Sequence, residues 1–327
     1  MNARFGTAGA VALALLVAAG ADARAQLALA PAVAVDASAR PLPSSTLSAR
    51  LDGRWVRWWR ADSAPARWSA SPAPLARAAR WSRGADGIEW TELALGGSGE
   101  AWRTRVVVAR LDPARVAFRL DTAFTGRALR RRPAWTVEDQ RARRDVHFAV
   151  NAGQFRVTMP WGWVVLDGRE WRHPDTAPLA SAFVVDAAGR ARLEHGGRPA
   201  PGDARWAFQS YPTLLAGGAV PVPLRAPGRG VDLAHRDARA ALGIDAEGRV
   251  LVALTRFDAL GGRLDFVPFG LTVPETAALM GALGATDAVM LDGGISAQLL
   301  LRDARGRARA WEGLRAVPLA LVATQRR

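Results

Sequence analysis

The sequence predicts an α+β fold, in which strand-rich mixed sheets carry a few covering helices. The first observation is the recurrence, from about Glu89 onward, of short apolar runs rich in β-branched residues, which is typical of strands. The second is the scarcity of helical periodicity. The third is length, because 327 residues, half of them apolar, suffice for one large domain or two smaller ones. We expect one main strand-rich domain.

The strands are predicted in chain order from their apolar runs and the turns between them. Residues 104–111 and 115–121 form a hairpin around an Asp-Pro turn. The clearest hairpin covers 240–257, with apolar arms on either side of the turn 245–248. Further short strands are predicted over residues 146–151, 163–168, 181–186 and 206–211.

One clear helix precedes a carboxylate that interrupts an apolar stretch. Thr272 and Glu275 form a capping box at the start of this helix, and Gly284 ends it. The strand 288–291 follows and leads directly into Asp292. The carboxylate therefore lies at the carboxyl end of a strand, a common place for sites in α/β layers. Without a partner, its burial would be costly.

Two glycines, Gly293 and Gly294, separate this carboxylate from a second apolar strand, 296–301. Adjacent glycines weaken a strand unless the backbone turns tightly or admits a ligand. The segment does not fit a nucleophile elbow, because the second glycine of G-x-S-x-G is absent and Ser296 leads into a strand rather than a helix. The pattern therefore disfavours a serine hydrolase.

Composition excludes several kinds of chemistry. The chain contains no cysteine, so thiol catalysis, disulfides and cysteine-based zinc sites are excluded. All 44 basic residues are arginine, which removes lysine Schiff bases and P-loop chemistry but leaves bidentate phosphate binding. The net charge of +14 favours anionic partners, such as envelope polymers or nucleic acid.

The N-terminal residues predict export. Residues 1–25 combine an early arginine, an apolar core and a small-x-small cleavage pattern, as in a secretory signal peptide. A membrane anchor is the alternative, but the apolar stretch is shorter than the roughly 20 residues that a span needs. No later stretch is long enough, so we expect no stable membrane span. The expected location is extracytoplasmic, either periplasmic or secreted, and residues 26–95 form a linker and a Trp/Arg-rich segment.

Two segments are rich in arginine. The first, about residues 51–81, interleaves arginine with tryptophan, a pattern that could stack sugars or bases. We favour the alternative, a strand edge or a loop laid across the surface. The second segment, 126–145, contains a polar helix that begins after Thr136 and exposes its charge to solvent. The tryptophans of the first segment are Trp55, Trp58, Trp59, Trp68 and Trp81.

Other candidate groups stand near strand ends. Asn151 and Gly153 follow an apolar strand, where the amide could bind a ligand and the glycine could admit it, although such a pair more often forms a turn. Arg239 leads into an apolar strand and needs an anionic partner, which could be a ligand or a neighbouring aspartate. Oxygen ligands such as Asp245 leave a divalent cation, calcium for example, open. The four histidines lack zinc-site spacing.

In their order along the chain, five of these segments resemble the motifs of the phosphodiester glycosidase family. The likeness covers roughly residues 100–325 and implies a catalytic domain at 96–327. Five positions depart from the pattern, namely Ala152, Gln154, Ala240, Met290 and Ile295. The matching segments are NAGQF (151–155), PTLL (212–215), RAALG (239–243), GLTVPETA (270–277) and MLDGGIS (290–296).

The resemblance implies hydrolysis of a sugar-1-phosphodiester, or of a phosphorylated glycan, in envelope or exopolysaccharide metabolism. Arg239 would hold the departing phosphate, and Asp292 would stabilise the oxocarbenium ion or activate water. A second carboxylate could come from Asp237, Asp245 or Glu275. The other implied site residues are Asn151 in the catalytic group, with Gly153, Gln154, His235, Gly293, Gly294, Ser296 and Gln298 around the substrate.

The resemblance leaves one rival from another class, a non-catalytic envelope protein that binds anionic glycan polymers through its arginine and tryptophan surface. Convergence of Asn151, Arg239 and Asp292 in one pocket would favour the enzyme. No nucleic acid partner is expected, because the chain contains no recognisable nucleic-acid-binding module.

Overall fold

The computed structural model describes residues 44–122, 135–157, 159–196 and 202–326. These residues belong to one compact unit. The predicted signal peptide lies outside the described residues. The same holds for the linker up to residue 43 and for the first half of the second arginine-rich segment, 126–134.

A nine-stranded antiparallel sheet forms the centre of the fold. Its middle strand, β5 (Thr104–Leu111), reads TRVVVARL because both faces of the sheet are covered. Val106 and Val108 face one core, and Val107 and Leu111 face another. In spatial order the strands are β15 (Thr213–Leu215), β18 (Ala285–Met290), β16 (Ala240–Asp245), β17 (Val250–Phe257), β5 (Thr104–Leu111), β4 (Ile88–Gly97), β1 (Thr46–Leu51) and β2 (Arg54–Arg60), with β3 (Ser82–Arg83) beside β4.

Two five-stranded sheets and a small ribbon complete the described strands. The first sheet has the order β11 (Arg169–Arg172), β10 (Val164–Leu166), β14 (Ala204–Ser210), β12 (Ser181–Asp186) and β13 (Ala191–His195). The second has the order β20 (Ala308–Trp311), β19 (Leu299–Arg302), β7 (Val146–Asn151), β21 (Leu319–Gln325) and β6 (Val116–Thr122). The ribbon pairs β8 (Phe155–Arg156) with β9 (Met159–Pro160).

The predicted balance of elements needs correction. The strand-rich architecture with few helices is confirmed, but the fold is mostly β rather than a balanced α+β arrangement. The expected mixed sheets are also wrong, because every strand pair of the described residues is antiparallel. Short turns account for this, since a chain that returns through a hairpin, as β16 and β17 do, must pair antiparallel.

Three α-helices occur in the described part of the chain: α1 (Ala73–Ala78), α2 (Val137–Arg141) and α3 (Val273–Ala282). The predicted capping box of α3 is confirmed, because Thr272 accepts from the backbone N–H of Glu275 and the Glu275 carboxylate accepts from that of Thr272. The buried Glu275 also accepts two bonds from Arg236, at 2.6 and 2.8 Å, which compensate its charge. None of the described helices is long and apolar enough to cross a bilayer.

The Trp/Arg-rich segment is part of the nine-stranded sheet. It forms the edge hairpin of β1 and β2, and β1 pairs with β4. The boundary that the sequence suggested near residue 95 falls inside β4 (Ile88–Gly97). Beyond β2, the chain crosses α3, where the Trp68 ring fills the space that a side chain at Gly281 would occupy. The segment therefore contains both structural alternatives that the sequence offered, a strand edge and a loop on the surface.

Candidate functional site

Asp292 lies where the chain leaves one sheet and enters another. Strand β18 ends at Met290 in the nine-stranded sheet, and β19 begins at Leu299 in the second five-stranded sheet. Between them, Gly294–Ser296 forms one turn of 3-10 helix. The crossing between two sheets explains why an apolar stretch is interrupted by a carboxylate and two glycines.

The two glycines allow this crossing to touch the segment before β16. A Cβ on Gly293 would lie 2.5 Å from the Ala238 carbonyl oxygen, closer than real Cβ atoms come. Gly294 has a φ of +57°, donates its N–H to the same oxygen at 2.7 Å, and lies against the Asp237 carboxylate. The glycines therefore serve a backbone-to-backbone contact that fixes Asp292 relative to Asp237.

Asn151, at the end of β7, holds the backbone of the same crossing. Its side-chain amide donates to the Asp292 carbonyl at 2.8 Å, and its side-chain oxygen accepts from the Gln298 N–H at 3.0 Å. The Asp292 N–H donates to the carbonyl of Gly153, whose φ is +63°. Because Asn151 is fully buried, its place is behind the carboxylate, where it positions Asp292.

The two glutamines predicted around the substrate also bond to backbone. The Gln298 side chain accepts from the Val137 N–H at 2.9 Å and donates to the carbonyls of Ser296 and Arg315. Gln154 donates to the Tyr211 carbonyl. These bonds leave Gln298, which is fully buried, as a connector of three segments.

The Asp292 carboxyl has a perturbed proton affinity. Burial raises its pKa to about 6, and the negative charge of Asp237 adds to the rise. A hydrogen bond from Ser296 and the positive charge of Arg315 act in the opposite direction. A carboxyl with such a pKa can change protonation near neutral pH, as acid–base chemistry requires.

Asp237 is the second carboxylate of this cluster. Its side chain is 15% exposed, and one of its oxygens lies 3.8 Å from Nε2 of His235, whose pKa it raises. The other two candidates lie in structural settings. Asp245 accepts from the N–H groups of its own hairpin turn and from Arg249, and Glu275 caps α3.

Arg239 lies beneath the loop that carries His235 and Asp237. Its Nε donates to the Leu271 carbonyl at 2.8 Å and its Nη2 to the His235 carbonyl at 2.7 Å. In the described ranges it forms no ion pair, and burial lowers its pKa. The aspartate salt bridge considered for Arg239 is therefore not formed, and part of its guanidinium already binds protein.

We expect Arg239→Lys to lower the free energy of unfolding by about 1–3 kcal/mol, because a lysine cannot replace both hydrogen bonds and leaves buried carbonyls unpaired. Urea unfolding measures this change. Arg229→Lys, at an exposed position of the same loop, should leave stability unchanged. Equal stability of both variants would show that the two bonds to carbonyls are unimportant.

Arg315 is the site residue that sequence reasoning missed. Its guanidinium carbon lies 4.8 Å from the centre of the Phe155 ring, and its charge acts on Asp292. In the part of the chain that the structure describes, it has no ion-pair partner. Arg239 is marked in the sequence as an arginine just before an apolar strand. Arg315 carries the same mark, because it precedes β21.

Metal ligands are not grouped in the described ranges. No three His, Asp or Glu side chains come together there in a way that could hold a metal ion. His195 instead joins Ser181 and Asp287, at 2.8 Å each, and so links the first five-stranded sheet to the nine-stranded sheet.

Comparison with known proteins identifies relatives of this arrangement. The sequence profile of the phosphodiester glycosidase family matches residues 144–324, a range that contains all five motifs. No curated protein sequence gives a significant match.

Several solved structures have a similar fold, among them one from zebrafish and one from Synechocystis. The catalytic domain of zebrafish N-acetylglucosamine-1-phosphodiester alpha-N-acetylglucosaminidase, auto-inhibited by its pro-peptide, is 18% identical; the match covers 76% of this chain and 88% of that one, with a TM-score of 0.57. A hypothetical protein from Synechocystis is 15% identical, with 88% and 69% covered and a TM-score of 0.50. At these identities, the likeness concerns the fold alone.

Proposed function

The chain belongs to the phosphodiester glycosidase family, and we propose that it is a hydrolase that cleaves the glycosyl–phosphate bond of a sugar-1-phosphodiester. The observation that carries this proposal is the setting of Asp292: Gly294, two residues on, lies against the Asp237 carboxylate, and the Arg315 N–H donates to the Ile295 carbonyl of the same crossing. The charges of Asp237 and Arg315 act on the Asp292 carboxyl, and burial raises its pKa to about 6.

The charges of this cluster match those of the reaction. Cleavage at the anomeric carbon develops positive charge on the sugar and negative charge on the departing phosphate. Ionised Asp292 stabilises the sugar cation or activates water, and Asp237 with His235 supplies a second acid–base pair. A phosphate is a weak base, so a cation that binds its oxygens contributes more than a strong acid would.

Arg315 is better placed than Arg239 to bind that phosphate. Arg239 already donates to two backbone carbonyls, whereas the Arg315 guanidinium lies on an aromatic ring near Asp292. Arg239 then acts by holding the His235–Asp237 loop, and Asn151 by holding the Asp292 backbone. Ser296 adjusts the proton affinity of Asp292 through its hydrogen bond.

Asn151, Arg239 and Asp292 are neighbours in the fold: Asn151 bonds to the Asp292 carbonyl, and a Cβ on the adjacent Gly293 would lie 3.8 Å from the Cα of Arg239. The side chains of Asn151 and Arg239 bind backbone carbonyls, so the enzyme is supported over the rival glycan-binding function by the charges of Asp237 and Arg315 that act on Asp292. We also propose that the protein is exported to the periplasm or the medium, a proposal supported by the N-terminal sequence. Fractionation of expressing cells tests it.

We expect kcat/KM to fall about tenfold per pH unit below a pH of about 6, because protonation removes the charge of Asp292. Asp237→Asn removes the neighbouring charge that raises the pKa of Asp292. The acid limb of the profile of kcat/KM against pH should therefore move to lower pH, even if activity drops. Glu247→Gln, at an exposed turn, is the matched control. A limb at the same pH in Asp237→Asn would contradict the coupling of the two carboxylates.

The direct test is release of free sugar from a panel of sugar-1-phosphodiesters, with and without chelator. Release from at least one member supports the proposed reaction, and the chelator reports whether a metal ion is required. If the purified protein binds these compounds but hydrolyses none of them, the glycan-binding function becomes the better explanation.

A further inference from the structure

A cavity of about 240 Å³ opens on the side of the nine-stranded sheet that α3 covers. Neither of the two carboxylates nor Arg315 lines it. Its volume is below the roughly 300–1,000 Å³ of sites for drug-sized ligands, so it suits one ring rather than an extended ligand. The residues that matter for its chemistry are Trp59, Trp68, Leu224, Arg225, Leu233 and Ala278.

The tryptophan wall of this cavity is fixed in place. The Trp68 ring rests on Gly281 of α3, where a Cβ would lie 2.3 Å from the ring, and the backbone N–H of Trp68 donates to the Gly218 carbonyl at 2.8 Å. Trp58 packs against Trp68 with ring centres 6.4 Å apart. Because contacts within the protein hold the Trp68 ring, a sugar ring that enters the cavity meets preformed aromatic surface, which lowers the entropic cost of binding.

One of the residues that line the cavity is a cation. Arg225 is exposed, and its Nε donates to the Val220 carbonyl at 3.1 Å. Within the described ranges Arg225 pairs with no carboxylate. Glu275 and Asp62 are bound to other arginines, Arg236 and Arg60. An exposed arginine that lines a cavity together with tryptophan side chains complements a ligand with an apolar face and a negative substituent.

We propose that this cavity is a second carbohydrate site, which binds one pyranose ring that carries a carboxylate or a phosphate. The tryptophan rings contact the apolar face of the sugar, and Arg225 binds the anionic substituent. A polymer with such units would be held here while another part of it reaches Asp292, so two weak contacts would add up to tighter binding. Binding at this site does not require turnover.

Titration calorimetry with glucuronate, glucose 6-phosphate and glucose tests the proposal. We expect at least one anionic sugar to bind about tenfold more tightly than glucose, and the comparison of the two shows which substituent is preferred. Ala64→Trp fills the mouth from an exposed lining position and should abolish this binding, and Arg225→Ala should remove the preference for anionic sugars. Hydrolysis of a small sugar-1-phosphodiester should be unchanged in both variants.

The matched controls are Ala66→Trp and Arg229→Ala, which alter exposed neighbours that do not line the cavity. Both should bind like the wild type. The proposal is overturned if Ala64→Trp binds the sugars as the wild type does, or if all three sugars bind equally. If Ala64→Trp loses sugar binding but keeps hydrolysis, the cavity is separate from the proposed catalytic site. If Asp292→Asn loses hydrolysis but keeps sugar binding, the catalytic site is likewise separate from the cavity.

Discussion

Asp292→Asn should lower kcat on a sugar-1-phosphodiester by at least roughly 100-fold while the fold stays intact, in line with other removals of a single acid–base group. Asparagine keeps the shape of the side chain and the backbone bonds to Asn151 and Gly153, but it can neither carry a negative charge nor take up a proton. Sugar release under saturating substrate measures the change. Near-normal turnover would remove Asp292 from the mechanism.

The same variant should be at least as stable as the wild type. A carboxyl whose folded pKa is raised is favourable for folding at low pH and loses that advantage as pH rises toward and above about 6. At pH 8, ionised Asp292 therefore costs the folded state on the order of 3 kcal/mol, a cost that asparagine removes. Urea unfolding at pH 8 measures this, with Asp203→Asn, an exposed carboxylate, as the control. Marked destabilisation would make any loss of activity uninformative about chemistry.

Arg315→Ala should lower kcat/KM by about 100-fold, because the departing phosphate loses its positively charged partner. It should also move the acid limb of the pH profile to higher pH, since the Arg315 charge lowers the pKa of Asp292. Arg315→Lys should recover little activity, because an ammonium group lacks the planar fork.

Arg309→Ala is the matched control for that change. Like Arg315, Arg309 lies over an aromatic ring, at 4.6 Å from Trp90, but it is exposed and does not act on Asp292. Its removal should leave both activity and the pH limb unchanged. If the two variants behave alike, Arg315 is a packing residue and the phosphate must be held elsewhere.

Local signals predicted local structure well. The capping box at Thr272, the hairpin across 240–257 and the position of Asp292 after a strand all depend on neighbours in the chain, and all three are confirmed. The partners of each strand are not local. Apolar runs reveal that a strand is buried, but not which strand lies beside it, so antiparallel sheets were predicted as mixed ones.

The same limit affected the site residues. Asn151, Gln298 and Arg239 were selected because a polar group in an apolar setting needs a partner, and this physical reason is sound. Their partners include backbone groups 32 to 161 residues away, which no spacing rule reveals. The position of Arg315 before an apolar strand marks it as a candidate, but its relation to Asp292 arises only when the segment before β21 meets the crossing in space, where the Arg315 N–H donates to the Ile295 carbonyl.

Asp292 lies on the segment that leaves the nine-stranded sheet and enters the second five-stranded sheet. The surroundings of its carboxylate therefore depend on how these two sheets pack against each other. A denaturant that loosens their packing would separate Asp292 from its surroundings while each sheet stays paired, so inactivation would precede the loss of circular dichroism. Conversely, an inhibitor that bridges Asp237 and Arg315 would bind the native arrangement alone and raise the melting temperature by an amount that grows with the logarithm of its concentration divided by its Kd. Thermal shift would then identify ligands of this protein before any substrate is known.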